Sequence, residues 1–193
     1  MKVIFLDFDG VITIPPKWNL EPSKIEKIKK LVEETDSKIV VSSSWRHGLK
    51  RNFEWQLEDN ANNDDHNNDM IIWLKDNIYD ITPNIGDGNG RGGEIQKWLN
   101  EHSEVDNYVI LDDDSDMWPS QLFHFVQTDW QTGFTEHEYE LAYKVLMGKY
   151  IFNLIGLNFE LRDRWRRKCE GDEGWWHDIL KYNNLSSTYE GNI

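Results

Sequence analysis

The chain predicts an α/β fold: a three-layer, doubly wound parallel sheet with no more than a minimal cap. Three observations carry this. Four short runs at residues 3–6 (VIFL), 39–41 (IVV), 108–111 (YVIL) and 125–126 (FV) are continuously apolar, as strands covered on both faces read. Helical periodicities lie between and after them, the βαβ alternation that builds a parallel sheet. Three of the four runs lead directly into polar residues, and ligands of such sheets sit at the carboxyl ends of the strands.

The first run ends in Asp7-Phe8-Asp9-Gly10. Side chains at i and i+2 of an extended chain point the same way, so Asp7 and Asp9 are expected to face one site. Gly10 permits the sharp backbone departure that follows. Ser23 with Glu26 has the spacing of a capping box and opens a helix over 23–35, with Ile25, Ile28, Leu31 and Val32 on its apolar face. The second run ends in Ser42-Ser43-Ser44-Trp45-Arg46. Residues 59–69, DNANNDDHNND, contain nine Asn or Asp in eleven and read as a solvated loop, so the stretch 46–91 supplies a small lid at most. Ile95, Trp98 and Leu99 form the stripe of a helix opening near Gly93. The third run ends in Asp112-Asp113-Asp114-Ser115-Asp116. Thr135 with Glu138 is a second capping box, followed by Leu141, Ala142, Val145 and Leu146. Beyond residue 148 the pattern changes, and Trp165, Trp175 and Trp176 flank a basic run at 164–168. A catalytic domain over 1–148 and a helical extension over 149–193 packed on it are expected.

Composition narrows the function classes. The 193 residues suffice for one sizeable core. Cys169 is the single cysteine, which excludes an intramolecular disulfide and a cysteine zinc cluster and fits a reducing compartment. Carboxylates at Asp7 and Asp9 interrupt the stretch a signal peptide needs, and no run approaches a membrane span. A cytoplasmic protein that engages no membrane is expected. The net charge of −14 argues against broad nucleic-acid binding. The acid is concentrated: residues 59–140 carry three Lys or Arg against nineteen Asp or Glu. Such a field repels an anionic substrate unless a cation sits among the carboxylates.

If the strands are neighbours, their polar ends bring carboxylates, hydroxyls and an arginine to one edge. Clustered carboxylates need a counter-charge, and a hard divalent cation such as Mg²⁺ with oxygen ligands supplies it. The cation and a local Arg turn an acidic edge into a phosphate site. One carboxylate can then attack phosphorus and another can move the proton of the leaving oxygen.

These residues resemble the haloacid dehalogenase (HAD) superfamily of phosphohydrolases. Asp7-Phe8-Asp9-Gly10 matches its first motif, Ser43 or Ser44 its second, Arg91 its third and Asp112-Asp113 its fourth. A narrower resemblance, over roughly residues 1–147, is to the HAD domain associated with Swiss Army Knife RNA repair proteins. It rests on VVSSSWR, ITP, RGGEIQKWL, YVILDDDSDM and FVQTD with a nearby GFT. The resemblance implies a HAD-like Rossmannoid sheet and Mg²⁺-dependent phosphatase chemistry through an aspartyl phosphate. It implies phosphate removal from a nucleotide or from a DNA or RNA end, at a 3′ or 5′ position. By motif, Asp7 is the nucleophile and Asp9 the general acid/base. Asp7, Asp112 and the Asp9 carbonyl hold Mg²⁺, with Asp113 or Asp116 in support. Ser43 contacts the phosphoryl group and Arg91 neutralises it; Gly10, Ser44 and Arg46 are the further substrate-side candidates.

Other readings compete. A calcium loop fails, because Gly10 stands at position four and no Glu follows at position twelve. Residues 88–93, GNGRGG, match a dinucleotide fingerprint with Asp113 twenty residues on, yet that reading leaves Asp7 and Asp9 unexplained. Arg46 either binds phosphate or pairs with an acid. Arg164, Arg166, Arg167 and Lys168 either contact a nucleic-acid backbone or form a solvated face. Trp45 and Trp118, after strand ends, are candidates for base stacking, whereas Trp98 belongs to the core. A small-metabolite phosphatase or phosphotransferase, and a HAD-fold binding protein with little turnover, are the alternative functions. The oligomeric state is not encoded in any of these features.

Overall fold

The computed structural model describes residues 1–59, 65–86 and 90–148. The expected extension over 149–193, with its basic run and tryptophans, lies outside these residues. Five strands, β1 (Lys2–Leu6), β2 (Ser37–Val41), β3 (Ile78–Ile81), β4 (Asn107–Asp112) and β5 (Phe125–Gln127), pair in parallel in the order β3-β2-β1-β4-β5. The chain winds outward from β1 on one side through β2 and β3, then returns to β4 and β5 on the other. The switch between the two directions falls between β1 and β4, where a doubly wound sheet opens its ligand crevice.

Alternation along β1 divides the core. Ile4 and Leu6 face a cluster with Ile39, Val41, Val109 and Leu111, which α1 (Pro22–Thr35), α3 (Asp65–Asp76) and α5 (Glu136–Leu146) cover. Helix α1 packs against both α3 and α5. Phe5 points the other way and meets Trp98 of α4 (Gly90–Glu101) edge to face, with ring centroids 5.4 Å apart. The result is the three-layer α/β arrangement expected from the apolar runs.

Three local expectations are corrected. Helix α1 does not use the Ser23–Glu26 box: Pro22 occupies its first turn, Glu21 is the N-cap, and no side chain caps it. Proline's fixed φ favours that first position, and the helix therefore begins one residue earlier. The box at Thr135 and Glu138 does form on α5, with both reciprocal hydrogen bonds present. The Asn/Asp-rich stretch is not wholly a loop. Helix α3 begins at Asp65, inside it, and α2 (Leu49–Asp59) precedes it; residues 60–64 are not described. Phe53 of α2 and Met70, Ile71 and Leu74 of α3 are buried in the main core. Within the described residues, α2 and α3 pack on each other, and α3 on α1, as parts of the crossover between β2 and β3. Strand β3, absent from the four apolar runs, is a four-residue edge strand whose side chains alternate between half-buried and exposed. Among the described residues no cap domain is inserted.

Candidate active site

Register places the chemistry. Leu6 pairs with Val41 on one side and Leu111 on the other. The residues after them, Asp7, Ser42 and Asp112, therefore stand level at the carboxyl edge. The ladder continues one step further: the Asp7 amide donates to the Leu111 carbonyl at 2.9 Å and the Ser42 amide to the Leu6 carbonyl at 3.0 Å.

Carboxylate oxygens of Asp7, Asp112 and Asp113 lie within 4.8 Å of one another. Asp7 and Asp112 are buried and Asp113 is half-buried. At an effective dielectric constant of about 20, two such charges repel by about 3 kcal/mol per pair. Arg91 offsets part of this. Its Nη2 lies 3.5 Å from Asp7 Oδ1 and its Nε 3.2 Å from Asp112 Oδ2. One guanidinium against three carboxylates still leaves the edge negative. Asp112 Oδ2 is wholly buried and, beyond this ion pair with Arg91, has no hydrogen-bond partner. An oxygen-only donor set with excess negative charge and an unsatisfied buried oxygen fits a hard divalent cation.

The protonation preferences follow from the same crowding. Burial raises the Asp7 carboxyl, opposed by Arg91 and by a hydrogen bond from Ser43. Burial and then the charge of Asp7 hold Asp112 well above the usual carboxylate range, against the pull of Arg91. Burial and then Asp7 push Asp113 up to about 6. Burial alone would lower Arg91, but the carboxylates of Asp112, Asp7, Asp116 and Glu94 outweigh it and raise it.

The Asp9 carboxylate is not one of the three clustered acids, although its charge still raises Asp7 and Asp113. The amides of Val11, Ile12 and Thr13 all donate to the Phe8 carbonyl, so the chain coils immediately after Asp7 instead of staying extended. The Asp9 carboxylate has its own set of donors. The Trp45 indole N–H donates to both of its oxygens at 3.1 Å, and the Thr13 hydroxyl donates to Oδ1 at 2.8 Å. Trp45, expected as a stacking surface, instead orients Asp9 and lays its ring against Phe8, with centroids 5.2 Å apart.

Gly10 has a role beyond the sharp turn. Its φ is +72°, and a Cβ there would stand 2.4 Å from Asp113 Cγ. The absence of a side chain lets Asp113 approach the loop after β1. The three serines separate. Ser43 is buried, hydrogen-bonds Asp7, and accepts from the Trp45 amide at 3.3 Å, whereas Ser44 is exposed at the start of a 3-10 turn, Ser44–Gly48. Ser43 is thus the member of the run beside Asp7. Arg46 pairs with an acid: its Nη2 lies 2.6 Å from Glu94 Oε1, and its Nη1 donates to the carbonyls of Ser42 and Ser43. Its side chain is 8% exposed.

The glycine after Arg91 is explained by docking. A Cβ at Gly92 would lie 2.5 Å from the Trp118 backbone nitrogen, so the first turn of α4 rests directly on the segment after β4. Asp116 Oδ2 accepts from the Arg91 amide at 2.7 Å. Asp116 is thereby assigned to the start of α4 and lies outside the acid cluster. A cation at a helix N-terminus is ordinarily disfavoured, and Asp116, Asp7 and Asp112 together make Arg91 tolerable there. Residues 87–89 of the apparent dinucleotide fingerprint are not described. Thr13, Glu94 and Trp45's bond to Asp9 were missed in the sequence. Thr13 stands four residues beyond Asp9, and Glu94 one turn beyond Arg91; neither spacing is distinctive.

No helix among the described residues is long and apolar enough to cross a membrane. A family model for the HAD domain in Swiss Army Knife RNA repair proteins matches residues 3–139. Neither curated proteins nor solved structures gave a match to the chain. The matched span runs from β1 into α5 and takes in Asp7, Asp9, Ser43, Arg91, Asp112 and Asp113, so the chain belongs to the family of HAD domains of Swiss Army Knife RNA repair proteins.

Proposed function

We propose that the protein is a phosphomonoester hydrolase that removes phosphate from nucleic-acid ends through an aspartyl phosphate on Asp7. The observation that carries this is the different surroundings of the two carboxylates after β1. Asp7 sits between Arg91 and Ser43 within the acid cluster, while Asp9 is held two residues away by Trp45 and Thr13. A nucleophile and a proton carrier in separate environments are what two-step phosphoryl transfer requires.

An Asp7 carboxylate oxygen attacks phosphorus; the P–O bond to the leaving alkoxide breaks, and Asp9 gives that oxygen its proton. Water then attacks the phosphorus of the aspartyl phosphate while Asp9 takes its proton. The P–O bond to Asp7 breaks, releasing inorganic phosphate. Ser43 and the Arg91 guanidinium orient the phosphoryl group and stabilise its charge. Asp7, Asp112 and Asp113, with the Asp9 carbonyl, are the groups to hold Mg²⁺. When bound, the ion supplies positive charge against the phosphoryl oxygens.

The family supports a nucleic-acid end as substrate. The sheet edge without an inserted cap among the described residues also favours a macromolecular end over an enclosed metabolite. The test is phosphate release with Mg²⁺ from glycerol phosphate, nucleoside monophosphates, and DNA and RNA oligonucleotides phosphorylated at either end. The expected result is metal-dependent release, greatest on an oligonucleotide and lost in Asp7→Asn. Release that survives Asp7→Asn overturns the mechanism, and a preference for the small phosphates overturns the substrate class.

A further inference from the structure

Two solvent-facing tryptophans stand beside this edge and take no part in the chemistry above. Trp18 and Trp130 are 40% and 49% exposed. Their rings are near-parallel, 11° apart, with centroids 6.4 Å from each other. Each is carried by a loop tied to the site. Trp18 lies on the strap leaving Gly10, which a bridge between Thr13 and Leu20 closes; the same Thr13 bonds Asp9. Trp130 lies in the turn after β5, closed by a bridge between Asp129 and Gly133. That turn is anchored by the Thr128 hydroxyl on the Gly10 carbonyl, the Thr128 amide on the Asp112 carbonyl, and the Phe134 amide on the Val11 carbonyl.

Trp18 also holds a φ of +56°, a left-handed conformation that a bulky residue rarely adopts. Such strain persists where the surroundings impose it, commonly at ligand sites. Charge then selects among ligands. With nineteen Asp or Glu against three Lys or Arg over residues 59–140, the domain is poorly suited to track a phosphate backbone by ion pairing. Stacking on an aromatic face needs no basic groove and tolerates every base.

We infer that Trp18 and Trp130 form a stacking platform for the nucleobase next to the phosphate that enters the Asp7 site. This rests on the nucleic-acid reading of that site and gives it a binding element. The platform holds the end of a strand by its base, while the acid cluster and Arg91 receive its phosphate.

The test uses the full chain carrying Asp7→Asn, so that substrate is held without turnover, in Mg²⁺. Two fluorescein-labelled RNA tetranucleotides bear a phosphate at the same end. One has a base on the terminal nucleotide and the other is abasic there. Binding is followed by anisotropy. Base stacking is worth about 1–3 kcal/mol, so the probe with the base binds roughly 5- to 150-fold tighter. In Trp18→Ala and Trp130→Ala that preference collapses towards one, and Trp18→Phe restores part of it. A preference near one in the parent, or one retained in both alanine variants, overturns the inference; so does failure of the parent to bind either probe. Because a base preference is a ratio within one protein, partial misfolding of a variant does not imitate the expected collapse. Phosphate release from glycerol phosphate by the Asp7-bearing chain is measured in parallel. Release without a base preference removes the platform and leaves the hydrolase. A Trp-dependent base preference without release from any substrate leaves the platform and removes the hydrolase.

Discussion

Asp9 shows how much of this site is set one side chain at a time. Its carboxylate is fixed by an indole N–H and a hydroxyl rather than by the neighbouring acids. A proton carrier matters most when the leaving oxygen is a poor one, and general acid catalysis is worth about 10²–10⁴-fold. Trp45→Phe keeps the ring against Phe8 and removes only the donor. We expect kcat on an alkyl phosphate to fall about 10-fold, and on 4-nitrophenyl phosphate less than about threefold. Equal losses on the two esters would mean that Trp45 acts only through packing. Asp7 and the acids after β4 were legible in the sequence because they end apolar strands. The bond from Trp45 to Asp9 was not, because it depends on the coil of backbone around the Phe8 carbonyl.

At the scale of elements, the site depends on α4 resting against the ends of β1 and β4. Arg91 and Glu94 lie one turn apart on that helix and make different contacts. Arg91 meets Asp7 and Asp112; Glu94 meets Arg46, joining α4 to the end of β2. The Arg46–Glu94 pair is almost fully enclosed, with side chains 8% and 12% exposed. Removing one member of such a pair strands the other and costs about 3–5 kcal/mol, whereas replacing both by apolar residues is often neutral. Glu94→Leu is therefore expected to lose about that much stability in urea unfolding, with most of it recovered in the double Arg46→Leu, Glu94→Leu variant. Equal losses in the single and double variants would contradict the pairing. Strands β1, β2 and β4 were readable because burial on both faces leaves a continuous apolar run, and β5, at the other edge, only from its adjacent Phe125 and Val126. Strand β3 sits at the edge and alternates, so its four residues carry too short a pattern. Helix α3 was hidden because its first turns use Asn and Asp, while its buried residues Met70, Ile71 and Leu74 come late.

For the whole molecule, the acidity of the middle of the chain is most acute at the carboxyl edge of the sheet, where Asp7, Asp112 and Asp113 crowd together. Asp113 is raised to about 6 by burial and then by Asp7, from an unfolded value near 4. A carboxyl raised by folding binds its proton more tightly in the native state. Its stabilisation is present below the unfolded value and is lost as pH rises through the folded one. In EDTA, wild type should therefore lose thermal stability relative to Asp113→Asn as pH climbs from about 4 to about 6.5, and Mg²⁺ at pH 7 should restore it. A melting-temperature difference that stays flat with pH would show that the acid cluster is not under this strain. In the proposed reading, a cation at the acidic edge would turn a net charge of −14 from an obstacle to phosphate binding into part of the site.

The most direct measurement is a rapid acid quench with an oligonucleotide carrying a radiolabelled terminal phosphate, followed by borohydride reduction and peptide mapping. The account predicts label on the protein during turnover and homoserine in place of aspartate at residue 7. Phosphate release with no label on the protein, or with label and homoserine at any other position, would contradict it.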